Sequence, residues 1–241
     1  MELYSNKEMK LTPTQIDQLY TFTKQHYVEY YDLQTELVDH LANAIELEWE
    51  TNPTLSFETL LNKEFKKFGV FGFMDVVEEK QKAMAKRYNS WVWNHFKAFF
   101  ELPKIIGTVL LIAALFYLFK FNVNNIKIIK ILFSIQFLVV FFVFVKQALL
   151  LNKKELKPKK WLLEKTIYSC GNFGGLLSLP MTIGNNISNN ISYATNSYAL
   201  FGMSCFLVAC GLFFYIILFE IPSKAQDYLE KTYPEYQLSN Q

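Results

Sequence analysis

Arginine is almost missing from this 241-residue chain: Arg87 stands alone, and lysine supplies the rest of the 24 basic residues. Charge of either sign is scarce at 19% of residues, against 51% hydrophobic and 17% aromatic, a balance foreign to ordinary soluble domains. Cysteine is thin too. Cys170, Cys205 and Cys210 all stand in apolar stretches with no C-x-x-C spacing. That excludes the paired, polar-context arrangements of zinc sites and disulfide frameworks, and the three read as small hydrophobes in membrane helices. Met1-Glu2-Leu3-Tyr4 offers neither a positive n-region nor an apolar h-region, so no cleavable signal peptide is expected. Most telling is the gap between Lys165 and Glu220, which holds no charged residue at all.

The charges that exist are segregated. Residues 1–103 carry sixteen Asp and Glu against eleven Lys and Arg, while the remainder carries thirteen Lys against six acids. An acidic front half speaks against nucleic acid as a partner, because phosphate contacts need clustered cations. The preference for Lys, Phe, Ile, Asn and Tyr fits an AT-rich, bacterial coding sequence.

The uncharged stretch is too long for one span and is divided by the polar tract Asn185-Asn186-Ile187-Ser188-Asn189-Asn190. Each half approaches the ~20 residues that a bilayer requires. Upstream, Ile105–Phe119 and Ile131–Val145 are shorter uncharged runs bounded by lysines. Lys104, Lys120, Lys127 and Lys130 can reach the interface by snorkelling, and extending the second run back to Ile126 gives a full span; a re-entrant hairpin is the alternative. The expected fold class is all-α, a small cytoplasmic helical domain followed by a four-helix transmembrane bundle. The expected divisions are residues 1–90 for the domain, 91–103 for an aromatic juxtamembrane segment, 104–222 for the spans and 223–241 for a cytoplasmic tail. The spans are placed at about 104–120, 126–146, 166–183 and 198–219.

Lysine placement sets the orientation. Lys146, Lys153, Lys154, Lys157, Lys159, Lys160 and Lys165 crowd the connection between spans two and three, and the connection between three and four has none. Positive loops stay in the cytoplasm, so a multi-pass protein of the cell inner membrane is expected, with both termini in the cytoplasm. Within the spans the polar residues are mild: Gln136, Ser169, Asn172, Ser178, Thr182 and Ser204. Transporters and pumps place costly ionisable groups there, and none is seen. Gly171-x-x-x-Gly175 permits close helix approach, either within the bundle or as the face of a homo-oligomer. Pro180 marks a kink or the exit of span three.

In the front domain, Thr12-Pro13-Thr14-Gln15 reads as a capping box opening a helix. A second helix carries Leu33, Leu37, Leu41 and Ala44 on one face and ends at Thr51-Asn52-Pro53. Ser56 caps a short third helix stopped at Gly69, and a last helix runs through Val76, Val77, Met84 and Tyr88. Trp91, Trp93 and Phe96 then form an aromatic cluster suited to the membrane interface, where an indole keeps its ring apolar and its N–H wet. That segment serves as a passive anchor or passes movement to span one. Glu36 and His40, four apart with Asp39 beside them, would suit a divalent metal only with a third ligand. Domain packing or partner contact is the plainer use, and neither a cofactor nor catalysis is expected.

The strings Tyr31-Asp32-Leu33-Gln34-Thr35-Glu36-Leu37-Val38-Asp39-His40-Leu41, Leu55-Ser56-Phe57-Glu58 and Phe65-Lys66-Lys67-Phe68-Gly69 together resemble the HAAS-type cytoplasmic domain. Such small helical domains precede bacterial membrane helices, as in uncharacterised membrane proteins of flavobacteria and their relatives, and are often encoded beside PadR-like regulators. The resemblance covers residues 10–90 and implies sensing or partner binding, with no catalytic residues. Glu36, Asp39, His40, Phe68, Gly69 and Phe71 are the candidate partner-binding or packing residues. The expected function is membrane-bound regulation through a cytoplasmic protein partner, the alternative being a small transporter or an accessory subunit of a transport complex.

Overall fold

The structure, a computed structural model, describes residues 10–188 and 196–236. All regular elements among them are helical. They fall into two compact units: one runs up to Met84 and includes Lys157–Leu162, and the other comprises Ala85–Leu156 and the described residues from Leu163 onward. Asn189 and Asn190 of the polar tract lie outside the described residues.

The first unit is built from α1 (Pro13–Gln25), α2 (Tyr31–Thr51), α3 (Phe57–Lys66) and the start of α4 (Met74–Ala98). The expected capping box is formed. Thr12 Oγ1 accepts from the Gln15 N–H, and the Gln15 side chain accepts from the Thr12 N–H at 2.8 Å. Ser56 caps α3 through the Thr59 N–H. The core gathers Leu19, Leu37, Leu41, Ile45, Leu60 and Phe73, all nearly or wholly removed from solvent. Trp49 Nε1 donates to the Leu55 carbonyl at 2.9 Å, which ties the α2–α3 turn to the end of α2.

In the second unit α5 spans Lys104–Phe121, α6 spans Asn125–Glu155, and α9 spans Ser197–Tyr215 and continues through a π-turn, Ile216–Glu220, to Ser223. These three helices are long and apolar enough to cross a membrane, which marks the chain as a membrane protein. Their outer faces agree: Leu110 and Phe142 are 65% and 79% exposed, and bare apolar area on that scale fits lipid rather than water. α6 outruns the span expected over 126–146 because the lysine-rich stretch beyond it stays helical.

In place of the continuous helix expected over 166–183, the chain forms α7 (Leu162–Tyr168), a 3-10 helix (Gly171–Ser178) and α8 (Leu179–Ser188). Two consecutive residues in the left-handed region break it, Cys170 at φ +60° and Gly171 at φ +54°. Apolar composition alone does not register that break.

Two glutamines fix the alignment of α6 and α9. Gln136 Nε2 donates to the Leu207 carbonyl at 3.4 Å, and Gln147 Nε2 donates to the Leu218 carbonyl at 2.6 Å. Since both pairs advance together along the chain, α6 and α9 run parallel. α5 is antiparallel to α9, with Phe99, just ahead of α5, against Tyr215 near one end and Phe116 against Phe201 near the other. Ile183 of α8 packs on the cluster of Phe119, Ile129, Phe133 and Leu200. Glu164 of α7 instead meets Lys154, at the opposite end of α6. A short α10 (Ala225–Thr232) follows α9.

Candidate functional site

The first unit presents a recess of about 230 Å³ between α2 and the α3–α4 connection. Its floor is Leu33, Leu37 and Val77, and its rim carries Glu36, His40 and Phe68. Helical spacing sets Glu36 and His40 on one face of α2. The His40 ring stands edge-on to Phe68 with centroids 5.9 Å apart. Glu36 pairs with Lys80 of α4 at 2.5 Å, an exposed bridge of small energetic weight. Asp39 is exposed and stands off the recess; among the described hydrogen bonds none joins it to His40.

Beside the rim, the connection from α3 to α4 turns on Gly69 at φ +79°, a conformation that carries a steric penalty for any residue with a Cβ. The turn sends neighbouring side chains opposite ways. Phe73 is 1% exposed and lies edge-on to Phe22, Phe65 and Phe68. Val70 and Phe71 are 98% and 70% exposed. Full burial of two such side chains is worth about 1.5–3 kcal/mol each, and the isolated unit forgoes it. Of the six candidate residues, the fold thus gathers Glu36, His40 and Phe68 around one recess and sets Gly69 and Phe71 in the adjoining turn. Among the described residues no group of three His, Cys, Asp or Glu side chains could hold a metal.

A second feature of this unit is its grip on residues 157–162. The N-cap of α2, Tyr30, makes no side-chain capping bond. The Tyr31 N–H instead donates to the Lys160 carbonyl at 2.7 Å, while Asp32 Oδ1 accepts from the Leu162 N–H at 3.2 Å. Trp161 is 4% exposed and meets the Tyr31 ring edge-on at 5.4 Å, and Lys159 Nζ lies 4.1 Å from that ring. Helix α2 therefore starts on a connector supplied from far along the chain. Sequence reading used those lysines only to set orientation; the signal overlooked was Trp161, an indole with no reason to sit among lysines unless buried.

In the second unit the aromatic segment begins inside α4. Trp91 stacks on Tyr228 at 4.3 Å, the Arg87 guanidinium lies 5.0 Å from the Trp91 ring, and Phe96 contacts Trp93, Phe100 and Phe213. Trp93 is half exposed. His95, between them, places Nδ1 3.0 Å from Glu220 Oε1 and Nε2 2.9 Å from the Tyr228 hydroxyl. Burial raises the Tyr228 hydroxyl above the ordinary phenol range, so it stays neutral and able to donate. Glu220 Oε2 is buried without a partner.

Gly171 and Gly175 do not share an α-helical face, because the 3-10 geometry between them rotates residues differently from the 3.6-residue turn that i, i+4 packing needs. Gly171 serves a close approach of another kind: a Cβ there would lie 2.6 Å from the Tyr88 ring. Among the described residues, none lies within 4 Å of where a Cβ at Gly175 would stand. Tyr88 is wholly buried, its hydroxyl lacks a hydrogen-bond partner, and burial pushes its ionisation far above the usual phenol value. Comparison with models of known families, with curated proteins and with solved structures returned no match.

Proposed function

We propose that this chain is a four-pass inner-membrane regulatory protein whose acidic, HAAS-like helical domain binds a cytoplasmic protein, with both termini in the cytoplasm. The observation that carries the reading is the exposed pair Val70 and Phe71 beside the Glu36–His40–Phe68 recess. A well-packed domain with a fully formed core has no internal use for two bare apolar side chains on a glycine turn, whereas a partner would bury them.

The geometry of the second unit supports four passes. α6 and α9 run parallel, so the chain between them has to return across the same thickness, and the broken segment α7–α8 extends from Glu164 near Lys154 to Ile183 near Phe119. Residues 157–162 pack within the domain's own unit, which supports placing that connector and the domain on one face of the membrane. The lysine bias makes that face cytoplasmic. A second reading, an accessory subunit of a transport complex, draws on the bare apolar flanks of α5 and α6, which would seat another membrane subunit as well as lipid.

Affinity purification of the full chain from mild detergent, beside a V70S/F71S variant, separates the two. A cytoplasmic protein recovered with the native chain and lost with the variant supports the regulatory reading. Membrane subunits recovered equally with both would replace it with the transport reading.

A further inference from the structure

Helix α6 has two unlike faces near its lysine-rich end. One carries Gln147, buried and bonded to Leu218. The other carries Phe142, Val145, Leu149 and Leu150, which with Phe141 line a groove of about 400 Å³. Two lysines complete that lining, Lys146 and Lys153. They are seven residues apart, which sets them on one face about 10 Å apart along the axis.

These two differ from the lysine next to them. Lys154 is engaged by Glu164 and by the Tyr168 ring, whereas Lys146 and Lys153 are exposed and make no ion pair or ring contact among the described residues. Lys146 directly follows the apolar run ending at Val145, so it stands where hydrocarbon gives way to headgroups. An apolar helix face carrying two such lysines at that depth is complementary to one class of molecule.

We infer that this face of α6 binds an anionic phospholipid, its phosphate held between Lys146 and Lys153 and an acyl chain laid along Phe142 and Val145. The aromatic and branched side chains supply the chain contact, and the ammonium groups supply the preference for negative headgroups. The inference rests on the membrane placement of α6 and not on the partner reading above.

The test is lipid retention by the full-length protein in native mass spectrometry, titrating phosphatidylglycerol against phosphatidylcholine of the same chains. Phosphatidylglycerol should be retained in preference, and each lysine removed should lower its retention about five-fold. K146Q/K153Q should therefore lose the preference, K146R/K153R should keep it, and K127Q, at the other end of α6, should leave it unchanged. Inorganic phosphate should not compete, because it lacks the chain that fills the groove. Equal retention of the two lipids, an undiminished preference in K146Q/K153Q, or displacement by phosphate alone would each overturn the site.

Discussion

The side-chain amide of Gln147 donates to the backbone carbonyl of Leu218 at 2.6 Å, from near the lysine-rich end of one long apolar helix into the π-turn of another. The same amide's oxygen lies 3.5 Å from Cys170 Sγ, at the break in the segment between those helices. One polar residue thus joins α6, α9 and the turn before the 3-10 helix. Its importance is geometric, because a π-turn disturbs the regular carbonyl pattern of a helix and benefits from an outside donor.

Replacing Gln147 by Leu removes that donor at nearly constant volume. The expected loss is about 1 kcal/mol, the usual scale for a hydrogen bond between membrane helices. Thermal unfolding of the purified variant in detergent should show a modest drop with unchanged helix content. An unaltered or raised midpoint would mean that the amide does not secure the π-turn.

Gly171→Ala combines a left-handed backbone with a Cβ placed 2.6 Å from the Tyr88 ring. Strain and overpacking each cost about 1–3 kcal/mol, so this variant should be far more damaging than Gly175→Ala, where an added Cβ meets no described residue within 4 Å. Side-by-side unfolding curves check the ordering, and similar effects at the two glycines would contradict the turn.

Trp161→Ala should release residues 157–162 from α2. Removing a buried indole costs about 3–5 kcal/mol, enough to speed trypsin cleavage after Lys159 and Lys160 at least about ten-fold. Asp32→Ala should act in the same direction more weakly, through loss of one hydrogen bond and of a carboxylate at a helix N-terminus. Cleavage at native rates in both variants would show that the connector is not held.

Orientation has its own test. Val123, 99% exposed in the short hairpin between α5 and α6, and Leu156, 86% exposed beyond α6, should label from opposite sides of sealed vesicles once each is replaced by cysteine in a background lacking the native thiols. Labelling of both from one side would replace crossing helices with a re-entrant hairpin.

Much of the first unit was legible because short-range chemistry decides it. The Thr12–Gln15 capping box, the Ser56 cap and the Gly69 turn are local events, and each appears where its residues stand. The apolar runs likewise announced α5, α6 and α9 by composition. The broken segment was not legible, since Cys170 adopts a left-handed backbone that its side chain does not favour, and only packing against Tyr88 gives the turn its place. The recess was half legible: spacing paired Glu36 with His40, but Phe68 arrives from the α3–α4 connection by tertiary packing. The engagement of Lys160 and Leu162 by α2 joins residues some 130 positions apart, a separation no local pattern encodes.

The most direct test of the central claim is photo-crosslinking in living cells from a photoreactive residue at position 71, with position 123 as the control on the far hairpin. A discrete cytoplasmic protein captured from position 71, lost when Val70 is changed to Ser and absent from position 123, is the result the account predicts. No adduct from position 71, or the same adducts from both positions, would contradict it.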